Sequence, residues 1–182
     1  VVAGFGDIIR AGKARYWGLS NIRGWQIAEI AHQCDLQGVP RPVVLQPYYN
    51  ALNRQPETEV LPAANFYGLG IATYSPIARG VLTGKYAPGA APAAGSRAAR
   101  QDRRMLQTEW REESLEIAQR VKEHAAKRGA TSLDFAVAWV LNNAAVTSVI
   151  AGPRTFEQWT QYLGFLDYAW TAEDEGLIDA RV

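Results

Sequence analysis

Residues 69–86 have the sequence Leu-Gly-Ile-Ala-Thr-Tyr-Ser-Pro-Ile-Ala-Arg-Gly-Val-Leu-Thr-Gly-Lys-Tyr, which is the most informative stretch of the chain. The apolar run from Leu69 to Thr73 is typical of a short buried strand. That strand ends abruptly, because Pro76 cannot donate to a central ladder. Small residues and then Lys85 follow, a pattern that lets a backbone approach a phosphate closely with a cation beside it. The same pattern also fits an ordinary loop at the end of a strand.

Composition indicates an ordinary globular chain of one domain. At 182 residues, 48% hydrophobic and 20% charged, it is long enough to bury one sizeable core. Its 19 basic and 18 acidic side chains give no reason to expect nucleic acid or an anionic membrane as a partner. No apolar stretch approaches a membrane span, and no signal peptide opens the chain.

Cysteine and histidine usage points away from disulfide and metal chemistry. Cys34 is the only cysteine, and it is expected to be a buried apolar residue in a protein of the reducing cytoplasm. His32 and His124 have no carboxylate or cysteine at ligand spacing, so no metal site is predicted.

Predicted strands and helices alternate along the chain. Strands are expected at 14–19, 43–46, 69–74 and 146–151, and a long loop at 87–110 is rich in alanine, proline, glycine and arginine. The expected helices lie at 1–11, between Ser20 and Gly38, at 56–67, at 112–128, and after Thr131, Thr155 and Thr171. Strand followed by helix, repeated, indicates a parallel sheet with helices outside it.

Caps and apolar stripes support these helices. Ser20 or Asn21 can cap the second helix. Thr131 and Asp134 have the spacing of a capping box. Apolar residues spaced by three and four positions predict the buried faces. These faces are Ile27, Ile30, Ala31 and Cys34; Ile117, Val121 and Ala125; Leu133, Val137, Val140 and Leu141; and Trp159, Tyr162, Leu163 and Leu166.

Four strand–helix units make up half of an eight-stranded barrel, which typically takes about 250 residues. An open, doubly wound sheet is the alternative architecture, although no Gly-x-Gly-x-x-Gly follows a predicted strand. The first predicted element is a helix without a strand before it. We therefore expect the chain to be a fragment whose front portion is missing.

The residues at the ends of the four predicted strands form a set. They are Gly18-Leu19-Ser20-Asn21, Gln46-Pro47-Tyr48-Tyr49-Asn50, Tyr74-Ser75-Pro76 and Gly152-Pro153-Arg154-Thr155. In order and spacing this set resembles the C-terminal half of the aldo-keto reductases, and most closely the branch with bacterial reductases and potassium-channel β subunits. The resemblance implies an α/β fold, a TIM (β/α)8 barrel of which residues 1–182 supply roughly strands 5 to 8 as a single domain. It also implies a site at the carboxyl ends of the strands.

The resemblance assigns the nicotinamide end of a cofactor to the first three strand ends. Ser20, Asn21 and Gln46 would hold the carboxamide, to which their side chains offer donors and acceptors. Tyr74 would stack on the nicotinamide ring. Each residue also has a purely structural interpretation: Ser20 or Asn21 as a helix cap, Gln46 as an ordinary strand-end residue, and Tyr74 as part of the core.

The cofactor phosphates fall, by the same resemblance, to the loop after the third strand. The residues whose backbone and hydroxyl groups would contact the pyrophosphate are Ser75, Pro76, Ile77, Ala78 and Arg79. Lys85 would supply a point charge. Arg97 matches an arginine that crosses the bound cofactor in relatives, and it is equally well explained as a solvated charge on the loop.

The adenosine end is implied after the fourth strand. Gly152, Pro153 and Arg154 precede a predicted helix N-terminus, which is a ready anion site. The Arg154 guanidinium would face the 2′-phosphate, which favours NADP over NAD. Gln158 would contact the adenine, although it also completes a capping box with Thr155.

One turn further along, the chain departs from the family pattern. Relatives tend to have Glu and then Asn there, where this chain has Gln161 and Tyr162. Gln161 can keep a polar contact to the adenine. Tyr162 cannot copy an asparagine amide.

The resemblance implies NADPH-dependent reduction of an aldehyde or ketone, with a small-molecule carbonyl compound as substrate. The tyrosine, lysine, aspartate and histidine that carry the chemistry in the family have no counterpart here, so no catalytic residue is assigned and little turnover is expected from the chain alone. Two alternatives stay open: a non-catalytic NADP-binding regulatory subunit, and a structural half-barrel without activity. Open strand edges favour a homo-oligomer or pairing with the missing N-terminal half.

Overall fold

The fold is organised around one four-stranded parallel sheet. The computed structural model describes residues 1–180, and its strands are β1 (Gly18–Ser20), β2 (Val44–Gln46), β3 (Gly70–Tyr74) and β4 (Ser148–Ile150). They lie in the order β1-β2-β3-β4, and every neighbouring pair is parallel. The predicted α/β class with a parallel sheet is confirmed.

Eight α-helices accompany the sheet in residues 1–180. They are α1 (Val2–Arg10), α2 (Gly24–Gln37), α3 (Val60–Phe66), α4 (Arg103–Thr108), α5 (Glu112–Lys127), α6 (Ser132–Asn142), α7 (Phe156–Tyr162) and α8 (Ala172–Asp179). Short 3-10 helices lie at Gln55–Glu57, Ala78–Gly80 and Leu163–Asp167. None of the helices in this part of the chain combines the length and the apolar character that a bilayer crossing requires.

The chain divides into two compact units. The first unit comprises Val1–Tyr49, Asn53–Tyr74 and Asn143–Ile150, and so contains the whole sheet with α1, α2 and α3. The second unit comprises Asn50–Leu52, Ser75–Asn142 and the chain from Ala151, and contains α4 to α8.

The core of the first unit lies on one face of the sheet. The register places Leu19, Leu45 and Ile71 in one row across the strands, and Leu45 and Ile71 are fully buried. Cys34 is buried on α2, as predicted, in a cluster with Trp17. The helix stripe and the strand row thus bury a common face.

The second unit packs around α6. Its residues Phe135 to Val140 are all buried, whereas the sequence predicted a single stripe. The helix is apolar on every side, which is typical of a helix enclosed by its neighbours. The predicted capping box is confirmed: the Asp134 amide donates to Thr131 Oγ1 at 3.2 Å, and the Thr131 amide donates to Asp134 Oδ2 at 2.9 Å.

Several element boundaries differ from the prediction. The strand expected at 14–19 begins only at Gly18, because the residues before it are fixed by the Trp17 indole, which donates to the Pro40 carbonyl at 2.7 Å. Neither Ser20 nor Asn21 caps α2. Its N-cap is Arg23, whose amide donates to the Gln26 side chain at 2.8 Å.

The helix expected at 56–67 is two elements. The 3-10 helix Gln55–Glu57 comes first, and α3 begins only at Val60. Glu59 between them has φ −139°, outside the helical region, so the hydrogen-bond ladder is interrupted there.

Two further predictions about helices are wrong. The segment 87–110 was expected to be a loop, yet it contains α4, which begins where Asp102 accepts a hydrogen bond from the Met105 amide at 3.0 Å. The apolar stripe predicted after Thr155 is not buried among the described residues, since Trp159 is 49% and Leu166 69% exposed. Tyr162 is the half-buried member of the stripe, and the other three side chains are exposed.

A buried polar network joins α5 to α8. Asp174 is fully buried and lies 2.7 Å from His124 Nε2, beside Arg128, and accepts a hydrogen bond from the Tyr168 hydroxyl at 2.8 Å. Burial raises the pKa of Asp174, but hydrogen bonds from Arg128, His124 and Thr171 outweigh it and hold that pKa well below its ordinary value,. His124 therefore has a carboxylate partner, one that sequence spacing could not show.

Candidate functional site

The carboxyl ends of the strands share one edge of the sheet in the first unit. Ser20, Gln46 and Tyr74 are the last residues of β1, β2 and β3. Ser20 is directly opposite Gln46 in the register, and Tyr48 forms a parallel bridge with Tyr74. Since parallel strands all point the same way, the fold itself collects these side chains at one place.

Hydrogen bonds link the side chains at this edge into a chain. The Tyr74 hydroxyl donates to Asn21 Oδ1 at 2.9 Å, and Asn21 Nδ2 donates to Ser20 Oγ at 3.1 Å. The Ser20 hydroxyl then donates to the Gln46 carbonyl at 2.8 Å. The Gln46 side chain is exposed. The edge therefore presents one oriented aromatic ring and several polar groups that can pair with an amide.

The Tyr74 ring is also supported from one side. Its centroid lies 5.6 Å from that of Tyr48, with the two planes inclined by 43°. Such tilted aromatic pairs are favourable. Together with the hydrogen bond to Asn21, this contact fixes the orientation of the ring that would face a planar ligand.

Left-handed backbone conformations mark the predicted cofactor residues. Among residues 1–180, five non-glycine residues have positive φ, and Gln101 is the only one outside the predicted set; the others are Asn21 (+53°), Ser75 (+59°), Ala78 (+46°) and Arg79 (+55°). Each such residue costs about 1–3 kcal/mol and persists only where its surroundings fix it. Strain of this kind clusters at ligand-binding sites.

The turn after β3 belongs to the second unit and is closed by its own backbone. The Ala78 amide donates to the Ser75 carbonyl at 3.0 Å, and the Gly80 amide donates to the Ile77 carbonyl at 2.8 Å. These two amides are engaged within the turn. Pro76 and Ala78 are buried, whereas Ser75 and Ile77 are half-buried.

Gly80 makes room for the lysine of the motif. Its φ is +96°, and a β-carbon there would lie 3.1 Å from Lys85 Nζ. The Lys85 ammonium lies 5.1 Å from the centroid of the Tyr86 ring, and Lys85 itself is exposed. The turn thus places an accessible point charge, as a phosphate site requires.

Two of the predicted arginines are already paired. Arg79 Nε lies 3.2 Å from Glu109 Oε1, and the Glu109 side chain is 1% exposed. Arg97 pairs with Asp102 at 3.3 Å. A hydrogen bond from the Met105 amide and the charge of Arg97 together lower the pKa of Asp102. Each guanidinium therefore already has a carboxylate beside it.

The segment after β4 presents an exposed arginine. The Arg154 amide donates to Gln158 Oε1 at 2.8 Å, and the Gln158 amide donates to Thr155 Oγ1 at 3.2 Å. Thr155 is therefore the predicted cap, and the Gln158 side chain reaches one residue further back than in a capping box. The Arg154 side chain is exposed after Gly152 and Pro153. The helix α7 has only seven residues, so its N-terminus is a weak anion site by itself. The exposed Arg154 guanidinium is the group of this segment that could attract an anion.

The neighbouring residues of α7 differ from each other. Gln161 is exposed and its side chain is accessible to a ligand. Tyr162 is half-buried, and burial raises the pKa of its phenol. Its packing role agrees with the departure from the family pattern at this position.

Two buried residues that sequence reasoning left without a role touch the turn. Asn50 Nδ2 donates to the Ser75 carbonyl at 3.1 Å, and Glu109 pairs with Arg79. Asn50 ends one of the strand-end motifs, which was a signal of its importance. Nothing local to Glu109 signalled its partner, 30 positions earlier.

A model of the aldo/keto reductase family matches residues 1–181 of the chain. The chain belongs to the aldo/keto reductase family. Its parallel α/β fold is consistent with the TIM barrel of that family. The earlier resemblance is thereby confirmed.

Curated relatives are similar to this chain over different shares of its length. It is 37% identical over 164 residues to a probable voltage-gated potassium channel subunit beta of Oryza sativa subsp. japonica, a match that covers 88% of this chain and 49% of the relative. It is 28% identical to an aldo-keto reductase of Pseudocercospora fijiensis over 92% of this chain and 60% of the relative. Aflatoxin B1 aldehyde reductase member 2 of Rattus norvegicus is 48% identical over 75 residues, which is 41% of this chain and 20% of the relative. The chain thus spans about half the length of the first of these aldo/keto reductase relatives.

Proposed function

We propose that this chain binds NADP(H) for an aldo/keto reductase that reduces aldehydes or ketones to alcohols. The observation that carries the proposal is the backbone strain at Asn21, Ser75, Ala78 and Arg79. Those positions were assigned to the cofactor on other grounds, and strained backbone is retained where function requires it. The aldehyde reductase and aldo-keto reductase among the relatives support the same class of reaction.

In the first unit, the strand-end residues suit a nicotinamide. Ser20, Asn21 and Gln46 offer amide and hydroxyl groups to a carboxamide, and the oriented Tyr74 ring offers a stacking surface,. When bound, the nicotinamide supplies a hydride to a carbonyl carbon. The task of the protein residues is to orient the ring so that one face meets the substrate.

In the second unit, the exposed cations suit phosphates. Lys85 is a point charge beside the Ser75–Arg79 turn, and Arg154 has the planar guanidinium that matches a phosphate with two parallel hydrogen bonds. We assign Arg154 to the 2′-phosphate, which makes NADP the cofactor. Arg97 would cross the cofactor once released from Asp102, and Gln158 and Gln161 would contact the adenine.

We assign no catalytic residue within the chain. We propose that its four strands correspond to strands 5 to 8 of the barrel and that residues 1–182 form one domain with them. In the resemblance, the general acid and its partners lie at the first four strand ends. Reduction of a carbonyl needs a proton donor of matched acidity beside the oxygen, so the cofactor residues alone support little turnover.

A non-catalytic role is the second candidate. The 37% identity to a probable voltage-gated potassium channel subunit beta favours it. A regulatory subunit would use the same residues to bind NADP(H) without rapid turnover of a substrate. The two candidates share the cofactor and differ in catalysis.

Titration with NADPH tests the cofactor. Six tryptophans make quenching of intrinsic fluorescence a direct readout, with calorimetry as a second method that is free of inner-filter effects. We expect saturable binding with one site per chain. Absence of binding at millimolar NADPH would overturn the proposal. Consumption of bound NADPH on addition of aldehydes, by the chain or by any longer protein that contains it, favours the reductase over the regulatory subunit.

A further inference from the structure

We propose that Asn50 and Glu109 are positioning residues that hold the turn Ser75–Gly80 in its strained conformation, and that the affinity for the diphosphate of a dinucleotide depends on both. The inference rests on the proposed function, because it assigns the turn to a nucleotide diphosphate. It goes beyond that function by adding two residues that touch no ligand. Both belong to the second unit, as does the turn.

Asn50 fixes the first peptide of the turn. Its side chain is fully buried, with Nδ2 donating to the Ser75 carbonyl at 3.1 Å and Oδ1 accepting from the Leu52 amide at 3.0 Å. The same Ser75 carbonyl accepts the Ala78 amide at 3.0 Å. Two donors on one carbonyl restrict the orientation of the Ser75–Pro76 peptide plane, and so limit the backbone conformations open to Ser75.

Glu109 fixes the other end of the turn. A carboxylate that is 1% exposed needs a cation beside it, because a buried charge without a partner is very costly. Arg79 provides that cation at 3.2 Å, with its own side chain 17% exposed. The pairing anchors the Arg79 side chain, so its backbone keeps φ +55°.

The residue after Glu109 extends this support to the lysine. Trp110 packs edge-on against Tyr86, with the ring centroids 5.1 Å apart. The Lys85 ammonium also contacts Tyr86 and lies 5.1 Å from the ring centroid. The segment Glu109–Trp110 therefore supports Arg79 directly and Lys85 through the Tyr86 ring.

Preorganisation explains how residues without ligand contact govern affinity. If the turn were free, it would sample ordinary right-handed conformations, and binding would have to supply the free energy that orders it. With Asn50 and Glu109 in place, that ordering is complete before the ligand arrives. The inference thus predicts a loss of affinity that accompanies a measurable loosening of the turn.

Hydrogen exchange on the full ligand-free chain measures the loosening. Glu109→Gln keeps the shape and removes the charge, and Asn50→Ala removes the donor to Ser75. We expect amides of 77–82 to exchange about tenfold faster or more in both variants. The matched control is Asp134→Asn, which also turns a buried carboxylate into an amide but should affect exchange only near the start of α6 and at Thr83–Gly84, because the Thr83 carbonyl accepts from Ser132. If Asn50→Ala fails to fold, Arg79→Met replaces it.

Affinity for NADP⁺ by calorimetry on the same variants completes the test. We expect Glu109→Gln to weaken NADP⁺ binding about tenfold or more, and Asp134→Asn to leave the affinity within about twofold of wild type. Because Glu109 and Arg79 act as a pair, the double variant Glu109→Gln with Arg79→Met should bind NADP⁺ no more weakly than the worse of the two single variants. Unchanged exchange in 77–82, or a loosened turn with unchanged affinity, would overturn the inference while the proposed function stands. A wild-type chain that binds no NADP⁺ overturns the proposed function and the affinity claim together, and exchange then decides the positioning role.

Discussion

The four cations of the proposed cofactor site differ in what already neutralises them. Arg79 is paired with buried Glu109, and Arg97 with Asp102. Lys85 and Arg154 are exposed, so their charge can be given to a ligand without breaking an ion pair. At the residue scale, we therefore expect phosphate recognition to depend mainly on Lys85 and Arg154, with Arg79 holding the turn as proposed.

Arg154→Ala tests the assignment of the 2′-phosphate. A charge-assisted hydrogen bond contributes about 1.5–3 kcal/mol, so we expect NADP⁺ to bind about 10- to 100-fold more weakly to the variant. NAD⁺ lacks the phosphate, and its affinity should change by less than about threefold. Calorimetric titration of both cofactors measures the ratio.

The control for this experiment is Arg15→Ala, which removes another exposed arginine from the first unit. It should leave both affinities unchanged. Equal losses of NADP⁺ and NAD⁺ affinity in Arg154→Ala would remove the assignment, because they would show a contact common to both cofactors.

At the scale of elements, Tyr49 connects three segments of the first unit. Its hydroxyl donates to Glu57 in the 3-10 helix at 2.6 Å and accepts from Asn143, ahead of β4, at 2.9 Å. Tyr49 is 1% exposed. Burial and the hydrogen bond to Glu57 raise the pKa of the phenol, so the hydroxyl is protonated and can donate at neutral pH.

Tyr49→Phe should destabilise the chain by about 1–3 kcal/mol, because the half-buried Glu57 and Asn143 side chains lose their hydrogen bonds to the buried hydroxyl,. Urea unfolding followed by tryptophan fluorescence measures the change. Tyr16→Phe is the matched control, since Tyr16 is 73% exposed and its loss should cost less than about 0.5 kcal/mol. Equal stability of the two variants would contradict the role given to the Tyr49 hydroxyl.

The attachment of α8 to α5 should depend on pH. The folded pKa of Asp174 is held below its ordinary value, so the network contributes stability that is fully present above the unfolded pKa of about 3.9. That stability is lost as the pH falls through the lower folded pKa. The groups that face Asp174 are His124, Arg128, Tyr168 and Thr171.

Asp174→Asn should cost about 1–3 kcal/mol at pH 7, since His124, Arg128 and Tyr168 lose the charged acceptor of their hydrogen bonds. The difference from wild type should shrink below about pH 4, where the carboxylate of the unfolded chain takes up a proton while that of the folded chain stays ionised. Denaturant unfolding across pH 3–7 follows both variants. Asp167→Asn, at an exposed aspartate, should show no such trend, and a pH-independent cost of Asp174→Asn would contradict the argument.

Local sequence patterns predicted most of the helices and strands, but they did not predict contacts between residues that are far apart in the chain. The parallel direction of the strands followed from the alternation of strands and helices, and the strand-end motifs predicted Ser20, Gln46 and Tyr74 at one edge. The α4 helix was missed because alanine, proline and glycine dominate the segment before it. The partners His124 and Asp174 are 50 positions apart. No periodicity reports a contact over such a separation, since tertiary packing alone creates it.

At the scale of the whole molecule, the sheet of the first unit has two unlike faces. Leu45 and Ile71 are buried on one face. The opposite face holds Ser20, Gln46 and Ile150, all of them exposed. Parallel sheets are almost always covered on both faces, and β1 and β4 are the outer strands of this one. An uncovered face with open edges favours association.

We therefore expect the isolated chain to self-associate, as a homo-oligomer or with a complementary half-barrel. Sedimentation velocity between about 1 and 100 μM should show the average mass rising with concentration, because association follows mass action. Ile150→Lys adds a charge to the outer strand β4, where Ile150 is 42% exposed, and should shift the equilibrium towards monomer. Glu116→Lys, on an exposed position of α5, changes the net charge in the same direction and should leave association unchanged. A chain that stays monomeric throughout this range would show that the open face is stable in water, and the half-barrel interpretation of the sheet would then lose its physical basis.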